Sequence, residues 1–305
     1  MTILITGATG LVGSEIVAQC HKNNISVHYL TTSKDKLDNE PNYKGFYWNP
    51  SEGIIDTDCF SGVTAIVNLA GASISKRWTS SYKKVILESR LQSLETLKTS
   101  LSSIKHSVEH IISASAIGVY PDSLTNYYEE DFSSTSPSFL GKVVQKWEMK
   151  VDEFNELGLK VSKIRIGLVL SEKGGALPQM LKPINMGVGS AFGKGTQWQS
   201  WIHIEDLARI FIYVLKLKIK GIFNGVAPNP VTNNDLTKMV AKQLGKPMFM
   251  PNVPKFLMKL VLGEMHILLF ESQRVSSKKI EEKGFHFNYS NLQPALEDIL
   301  NKKTT

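Results

Sequence analysis

Three glycines near the start of the chain have the spacing of a phosphate-binding turn. Gly7, Gly10 and Gly13 follow the apolar run TILIT and precede a helical pattern, which we predict from Leu11 to about Asn23. Glycines in such a turn permit a tight bend and close approach of the backbone to a pyrophosphate, and the N-terminus of the helix attracts negative charge. The spacing is GxxGxxG and not GxGxxG. Its place between a strand and a helix nevertheless predicts a dinucleotide site.

The residues that follow the second predicted strand, SVHYL, bear on which dinucleotide is bound. An acid at this place would accept a hydrogen bond from a ribose 2′-hydroxyl, whereas hydroxyl groups and a cation would suit a 2′-phosphate. Thr31, Thr32, Ser33 and Lys34 occupy these positions, and the first acid is Asp35. The pattern favours NADP over NAD, although a polar turn after a strand needs the same residue types.

Apolar runs typical of strands alternate with segments of helical period through the first half of the chain. The predicted strands are TILIT, SVHYL, GFYWN, AIVNLAG, HIISAS and LKVSKIRIG, and further helices span about Ser81 to Ser102 and about Phe139 to Leu157. Strands separated by helices require crossover connections. We therefore predict an α/β fold with a Rossmann-type, doubly wound parallel sheet.

The composition of the chain changes after Gly167. Glycines and prolines become frequent, which indicates long loops over the carboxyl ends of the strands, and a smaller helical part follows Pro228. We expect an NAD(P)-binding domain of residues 1–170 and 204–228. Residues 171–203 and 229–305 would form a smaller α/β appendage on the substrate side.

The charge of the chain is basic, with a net charge of +7 and a pI of about 9.2. An anionic ligand, a nucleic acid or a membrane surface would suit such a charge. The lysines, however, are mixed with acids or spaced along amphipathic segments, and no basic stripe is interleaved with aromatic residues. We therefore expect a small-molecule substrate as the partner, and neither a nucleic acid nor a membrane.

The cysteines and the apolar segments bear on metal binding and location. Cys20 and Cys59 form neither a disulfide framework nor a metal-ligand pattern, so no metal site is expected. The apolar stretch from Phe256 to Phe270 is interrupted by charged residues and falls short of the roughly 20 apolar residues of a membrane span. We interpret it as a buried or interface helix in a monomer or homodimer. No signal peptide is expected, and the expected location is the cytoplasm.

Motifs that run in order over nearly the whole chain carry a family resemblance. They are TGATGLVG, VNLAGASI, RWTSSYKKVILESR, SASAIGVY, KWE, RIGLVLSEKGGAL, GTQWQSWIHIEDLA, FNGVAPNPVTNNDL and GEMHILLFESQRV. On these motifs the chain resembles the extended short-chain dehydrogenases/reductases of the NAD-dependent epimerase/dehydratase group. More narrowly, it resembles the epimerase-family proteins with a C-terminal domain, which are sometimes labelled cell-division-inhibitor-like.

The resemblance implies a set of cofactor-binding residues. The turn residues implied to hold the pyrophosphate and to start the helix are Thr6, Gly7, Ala8, Thr9, Gly10, Leu11, Val12 and Gly13. Thr31 and Thr32 would lie beside the adenosine ribose, and the residues implied to lie along the cofactor are Leu69, Ala70 and Gly71. Arg90 and Arg165 match positions near the cofactor, and a guanidinium suits phosphate. A surface or helix-capping ion pair is the alternative for both arginines.

The catalytic pair of the resembled family is missing. Its members typically carry a Ser or Thr after the fifth strand and a Tyr followed four residues later by a Lys, which lowers the pKa of the phenol for proton exchange with the substrate. None of the nine tyrosines here has a lysine at that distance, and alignment on KWE puts Leu140 and Val144 at the two positions. Ser115 matches the hydroxyl position. We hypothesise that Tyr120 donates the proton, with packing of the loop as its alternative role.

The segment SWIHIEDLA holds further candidates. His203 could act as a general base, but the resemblance favours a buried, hydrogen-bonded histidine with Asp206 capping the helix that follows. Trp198 and Trp201 could line a substrate pocket or pack in the core.

The sequence thus predicts an NADP(H)-binding oxidoreductase or epimerase-like enzyme of the extended short-chain dehydrogenase/reductase type, with NAD possible. Its substrate would be an unidentified small molecule. The alternative is a non-catalytic NAD(P)-binding sensor or regulatory protein that has kept the cofactor cradle and lost the catalytic pair.

Overall fold

A computed structural model describes residues 1–301 of the chain, so positions 302–305 of the predicted appendage lie outside the described residues. The strands are β1 (Thr2–Thr6), β2 (Ser26–Thr31), β3 (Asn39–Glu40), β4 (Tyr43–Asn49), β5 (Ile54–Ile55), β6 (Val63–Asn68), β7 (His110–Ala116), β8 (Tyr127–Tyr128), β9 (Lys160–Ile166), β10 (Leu168–Leu170), β11 (Trp198–Gln199), β12 (Trp201–His203), β13 (Gly221–Gly225), β14 (Val231–Thr232) and β15 (Arg274–Val275). The α-helices are α1 (Leu11–Lys22), α2 (Ser80–Ser103), α3 (Phe139–Asp152), α4 (Leu177–Asn185), α5 (Ile204–Leu217), α6 (Asn233–Gln243), α7 (Lys255–Leu262), α8 (Ile267–Phe270), α9 (Lys278–Glu282) and α10 (Leu292–Asn301).

The main sheet runs in the order β13-β9-β7-β6-β1-β2-β4-β3, with β5 also paired to β4. All neighbours from β13 to β4 are parallel, whereas β3 and β5 are antiparallel to β4. From β1 the chain adds β2 and β4 on one side, and it later adds β6, β7, β9 and β13 on the other. Because the crossovers are right-handed, this reversal of direction places helices on both faces of the sheet. Accordingly, α1 packs with α5, and α2 packs with α3. The predicted α/β doubly wound sheet is confirmed.

The central strands form because their residues are apolar on both sides. The side chains of β1, β6 and β7 are almost all buried, as expected for parallel strands covered by helices on both faces. The three long helices predicted from the sequence agree with α1, α2 and α3 to within one or two residues at most ends. The predicted third helix continues beyond α3 only as a 3₁₀ helix, Glu153–Leu157. Because the strands are parallel, the ends of β1, β6, β7 and β9 share one edge, called here the carboxyl edge.

The start of α5 differs from the expectation. His203, and not Asp206, caps this helix, since its Nδ1 accepts a hydrogen bond from the Glu205 amide at 3.1 Å. The Asp206 carboxylate instead accepts hydrogen bonds from the amides of Asn288 and Tyr289 at 3.0 and 2.8 Å. The prediction that Asp206 caps α5 is therefore wrong. Its actual role is to attach the segment before α10 to the N-terminus of α5.

The apolar stretch near the C-terminus does not form one buried helix. It divides at Gly263, which has a left-handed φ of 59°, into α7, a 3₁₀ helix over Gly263–His266, and α8. No side chain of α7 is buried, and Leu260 is 78% exposed. The buried alternative is wrong for α7, while the interface alternative stays a prediction. Across residues 1–301, none of the helices has the length and apolar character needed to cross a membrane.

Candidate active site and dinucleotide cradle

The turn between β1 and α1 is too tight for side chains at two of its glycines. Gly7 has a left-handed φ of 72°, which favours glycine. A Cβ atom on Gly13 would lie 2.1 Å from the Gly7 carbonyl oxygen and 2.8 Å from the Ala8 Cα. The first turn of α1 is therefore pressed against the loop that precedes it, as a pyrophosphate cradle requires.

The N-terminus of α1 is available to an anion. Gly10 is its N-cap residue and supplies no side-chain hydrogen bond, and the first turn contains no acid. The leading amide groups of a helix have no partner within the helix, and they carry the positive end of its dipole. The cradle thus fits the pyrophosphate of a dinucleotide. The predicted contacts of Ala8 to Val12 with the cofactor stay a prediction.

Thr6 is buried below the cradle and belongs to a hydrogen-bond network that connects β1, β6 and β7. Its Oγ1 donates to Asn68 Oδ1 at 2.8 Å and accepts hydrogen bonds from the amides of Leu69 and Ala70, both at 3.0 Å. Asn68 in turn donates to Ser113 Oγ at 3.0 Å. The Thr6 hydroxyl is thus occupied by protein groups. Its role in this geometry is to hold the loop after β6 beside the cradle.

The turn after β2 presents groups that suit a 2′-phosphate. Thr32 and Lys34 are exposed, and Lys34 Nζ lies 5.2 Å from the centre of the Tyr47 ring. The Thr31 hydroxyl is used locally, because it accepts a hydrogen bond from the Ser33 amide at 3.2 Å. Of the predicted pair, Thr32 is therefore the one whose side chain is accessible to a ligand.

Arg90, on α2, lies between the cradle and a cleft that is described below. A Cβ atom on Gly71, in the loop after β6, would lie 3.0 Å from the Arg90 Cζ. The guanidinium donates to the carbonyls of Ile86 and Ala72 at 2.8 and 3.2 Å, and it lies 5.0 Å from the Trp147 ring centre. Burial lowers the pKa of Arg90 to about 10. No carboxylate of the described residues pairs with it, so a ligand anion would be a favourable partner.

Arg165 has a different environment. This residue is 6% exposed, and its Nε and Nη2 donate to the two carboxylate oxygens of Glu148 at 2.8 and 2.9 Å. Ser115 Oγ donates to the same carboxylate at 2.5 Å. Burial opposes ionisation of Glu148, but the bonds from Arg165 and Ser115 outweigh it and lower the pKa of Glu148. Arg165 thus forms an ion pair, but a buried one with α3 and not the surface or helix-capping pair expected as the alternative. Its predicted contact with the cofactor stays a prediction.

Tyr120 belongs to the same buried network. Its hydroxyl donates to Asn224 Oδ1 at 2.8 Å and accepts from Arg165 Nη1 at 2.9 Å, and its ring stacks on Tyr128 with centres 5.0 Å apart. Burial raises the pKa of Tyr120 to about 12, despite the nearby guanidinium. With 1% of its surface exposed, Tyr120 has the packing role that the sequence left as an alternative. Its role as proton donor stays a prediction.

A cleft of about 210 Å³ lies at the carboxyl edge. One side is formed by the end residues of β7 and β9, Ala116 and Ile166, together with residues of α3, namely Leu140, Val143, Val144 and Trp147. The opposite side comes from the later part of the chain, namely Trp198, Leu268, Glu271 and Gln273. Arg90 also lines the cleft. Leu140 and Val144, the residues at the positions of the missing Tyr and Lys, therefore face it as an apolar wall.

Of the remaining predicted candidates, His203 and Trp201 are buried in the core and Trp198 lines the cleft. His203 is 3% exposed and stacks on Tyr289 with ring centres 4.0 Å apart, in agreement with a buried histidine. Trp201 is fully buried, whereas Trp198 lines the cleft. Trp198 also lies against Arg274, whose guanidinium carbon is 4.4 Å from its ring centre.

Sequence reasoning missed two acids of the site. Glu148 served only as a marker in KWE, because its pairing with Arg165 depends on how α3 packs on the sheet. Glu271 lies in the motif GEMHILLFESQRV and lines the cleft from the side opposite α3. Nothing in its local sequence indicates this position, because it depends on how the C-terminal segment packs over the sheet.

A glycine cradle at the end of β1, with a cleft at the same edge, is the arrangement of a dinucleotide-binding α/β protein of the Rossmann type. The model of the NAD dependent epimerase/dehydratase family matches residues 3–224, and a domain of unknown function, DUF1731, matches residues 253–299. The chain belongs to the NAD-dependent epimerase/dehydratase family.

Relatives and solved structures agree with this assignment. An epimerase family protein of Staphylococcus haemolyticus is 38% identical over 298 residues, which are 97% of this chain and 98% of the relative. The crystal structure of human epimerase family protein SDR39U1 (isoform 2) with NADPH matches with a TM-score of 0.85 and 28% identity, covering 99% of both chains. A nucleoside-diphosphate sugar epimerase from Corynebacterium glutamicum matches with a TM-score of 0.78 and 30% identity, covering 99% of this chain and 58% of that chain.

Proposed function

We propose that this protein binds NADP(H) in the cradle and oxidises or reduces a small molecule in the adjoining cleft. The observation that carries the proposal is the position of Arg90, which lines the cleft and lies against Gly71 of the loop beside the cradle. A dinucleotide whose pyrophosphate binds at the α1 N-terminus would extend across this loop. Its nicotinamide end would then reach the cleft. In α/β sheets, ligands bind at such carboxyl ends of the strands.

The chain offers a partner for each part of the cofactor. The amides at the start of α1 would hold the pyrophosphate, Thr32 and Lys34 would hold the 2′-phosphate, and Arg90 would lie near the nicotinamide end. The human neighbour's complex with NADPH supports NADP(H) as the cofactor, and NAD stays the alternative. When bound, the nicotinamide would supply or accept a hydride. The protein contributes orientation, exclusion of water and a proton-transferring group.

A non-catalytic sensor is the second candidate, and one observation favours it. Leu140 and Val144 give the cleft an apolar wall. The resemblance aligns these two positions with the Tyr and Lys typical of short-chain dehydrogenases/reductases. A sensor would bind the dinucleotide tightly without turnover. An enzyme would need a proton donor from another part of the cleft.

Calorimetric titration with NADPH and NADH tests the proposal, with Gly10→Asp as the decisive variant. Aspartate is a favourable N-cap residue, so the fold should persist. Its carboxylate would, however, occupy the anion site at the α1 N-terminus, and we expect NADPH binding to weaken by about a hundredfold or more.

Ser102→Asp is the matched control, because it adds the same charge to an exposed position in the last turn of α2, at the opposite edge of the sheet. It should bind NADPH like the wild type. Absence of binding of either dinucleotide to the wild-type protein would refute the proposal, as would equal binding by Gly10→Asp. Tight binding without turnover would favour the sensor.

Lys34→Ala is expected to weaken NADPH binding about tenfold and to leave NADH binding unchanged. The exposed ammonium of Lys34 would contact only the 2′-phosphate, and a hydrogen bond to a charged group contributes about 1.5–3 kcal/mol. Lys44→Ala is the control, because Lys44 lies on the adjacent strand, exposed, and packs on Phe46. If Lys34→Ala weakened the binding of NADPH and NADH equally, Lys34 would not be the residue that contacts the 2′-phosphate.

A further inference from the structure

The cleft has no proton-transferring group on the side formed by the sheet and α3. Leu140 and Val144 are apolar, and the Tyr120 hydroxyl is buried with both Asn224 and Arg165 as partners. Among the described residues that line the cleft, the charged or ionisable side chains are Arg90 and Glu271. A guanidinium keeps its proton at physiological pH. The carboxyl group of Glu271 is therefore the one that can exchange a proton there.

Glu271 follows directly after α8 and is only partly exposed. Gln273 Nε2 donates a hydrogen bond to its Oε2 at 3.3 Å and also contacts the Tyr120 carbonyl at 3.2 Å. The side chain of Gln273 thus links Glu271 to the loop after β7. This contact holds the carboxyl group at the cleft, so Gln273 is a positioning residue.

The surroundings of Glu271 favour its protonated form. Burial is the largest influence and raises the pKa of Glu271, and the negative charge of Asp122 acts in the same direction. Hydrogen bonds from Gln273 and Ser138 and the positive charge of Lys255 act against them without reversing the shift. A general acid is most effective when its pKa lies near the working pH. The direction of the shift is thus the one that proton donation needs.

We propose that Glu271, supplied by the C-terminal segment, exchanges the proton of a small, mainly apolar carbonyl or alcohol substrate in the cleft. This proposal rests on the proposed function. It assigns to a residue of the DUF1731 region the proton transfer that a tyrosine typically performs in the resembled family.

The proton and electrons balance in a simple reduction. The carbonyl carbon receives a hydride from the reduced dinucleotide, the π electrons of the C=O bond move to the oxygen, and this oxygen takes the proton of the Glu271 carboxyl group. The products are an alcohol, the oxidised dinucleotide and the Glu271 carboxylate, which regains a proton from water. In the oxidation direction, the carboxylate accepts the proton of the alcohol hydroxyl.

The size and lining of the cleft define the substrate class. Its volume of about 210 Å³ is below the roughly 300–1,000 Å³ of pockets that hold drug-sized ligands. Most of the lining is aliphatic or aromatic, including Leu140, Trp147 and Trp198. These properties fit an aldehyde or ketone with one small ring or a short chain.

The test uses the full chain with NADPH and three probe substrates: benzaldehyde, 4-nitrobenzaldehyde and cyclohexanone. Glu271→Gln keeps the shape of the side chain but removes its transferable proton. We expect kcat to fall by about a hundredfold or more, as for loss of a general acid, with unchanged affinity for NADPH by calorimetry. Glu282→Gln, an exposed residue paired with Lys278, is the matched control and should keep the wild-type kcat.

A second measurement does not depend on activity. In protein labelled with ¹³C at the glutamate carboxyl carbon, the resonance lost in Glu271→Gln identifies Glu271. This resonance should titrate above the ordinary glutamate range and shift further when benzaldehyde is added. Gln273→Leu should move the titration further upward, because it removes a hydrogen bond to the carboxylate.

Two outcomes would overturn the proposal while leaving the proposed function in place: wild-type kcat in Glu271→Gln, and an ordinary titration that benzaldehyde does not affect. Failure of NADPH to bind, or binding without turnover of any probe, would instead refute the proposed function and with it the role of Glu271. Calorimetry and turnover by the wild type therefore separate the two failures.

Discussion

Replacement of Glu148 by glutamine is expected to lower the free energy of unfolding by about 3–5 kcal/mol, because it leaves the guanidinium of Arg165 buried without its counter-ion. Arg165 is 6% exposed and donates two hydrogen bonds to the Glu148 carboxylate. Ser115 also loses a charged acceptor. The variant should still fold, since glutamine has nearly the same volume and its amide oxygen can accept one of these bonds.

Denaturant unfolding at neutral pH checks this prediction. Glu109→Gln is the control, because Glu109 pairs with Lys218 in an exposed ion pair, with 59% of the Glu109 side chain accessible, and should change the stability far less than Glu148→Gln. A second variant, Glu148→Leu with Arg165→Met, removes both charges and should be less destabilised than Glu148→Gln. A loss below 1 kcal/mol in Glu148→Gln would show that Arg165 is stabilised by other groups.

The pH dependence follows from the lowered pKa of Glu148 in the folded protein. A carboxyl group whose pKa is lower in the folded than in the unfolded state contributes stability that is complete above its unfolded pKa of about 4.3. This contribution is lost as the pH falls from there through the folded pKa. The stability difference between the wild type and Glu148→Gln should therefore be constant near neutrality and narrow below about pH 4.

The parts of the site that sequence reasoning could predict are local. The glycine turn, Thr32 and Lys34 are each defined by a strand and the few residues that follow it, and the structure places these segments at the strand ends predicted. The central strands were also predictable, because a parallel strand that is buried on both faces is a continuous apolar run. Because these strands are parallel, the residues that follow them lie at the same edge of the sheet.

The parts that were missed depend on contacts between distant segments. The sequence shows that Arg165 ends a strand, but its pairing with Glu148 depends on the rotation of α3 over the sheet. Tyr120 meets Asn224 across 104 positions of the chain. Glu271 reaches the cleft only because the C-terminal segment folds back over the ends of β7 and β9. No periodicity or spacing contains this information.

Family membership leaves the chemistry open, because a fold is shared by many functions and the function depends on the site. Here the cradle agrees with the family, while Leu140 and Val144 depart from the pair typical of it. The C-terminal segment contributes the ionisable group on the other side of the cleft. Proton transfer would then depend on this segment, whereas substrate choice would depend on both sides of the cleft.

Replacement of Gly13 by alanine is expected to cost about 1–3 kcal/mol of stability and to abolish measurable NADPH binding. Helix propensity alone would favour alanine by about 1 kcal/mol, since Gly13 lies within α1. The new Cβ, however, would lie 2.1 Å from the Gly7 carbonyl oxygen and within 3 Å of two backbone atoms of Ala8. Backbone atoms cannot move aside as a flexible side chain can, so the cradle and α1 must separate, and overpacking of this kind costs about 1–3 kcal/mol or more.

Gly174→Ala is the matched control for this prediction. Its Cβ would lie 3.4 Å from the Leu11 side chain, an ordinary contact with the same end of α1. Thermal unfolding with and without NADPH measures both effects, because a ligand that binds only the folded state raises the melting temperature. Gly174→Ala should keep this increase and Gly13→Ala should lose it. A Gly13→Ala protein that keeps both its melting temperature and the NADPH response would mean that the cradle is looser than its geometry indicates, and the case for pyrophosphate binding at this turn would then rest on Gly10→Asp alone.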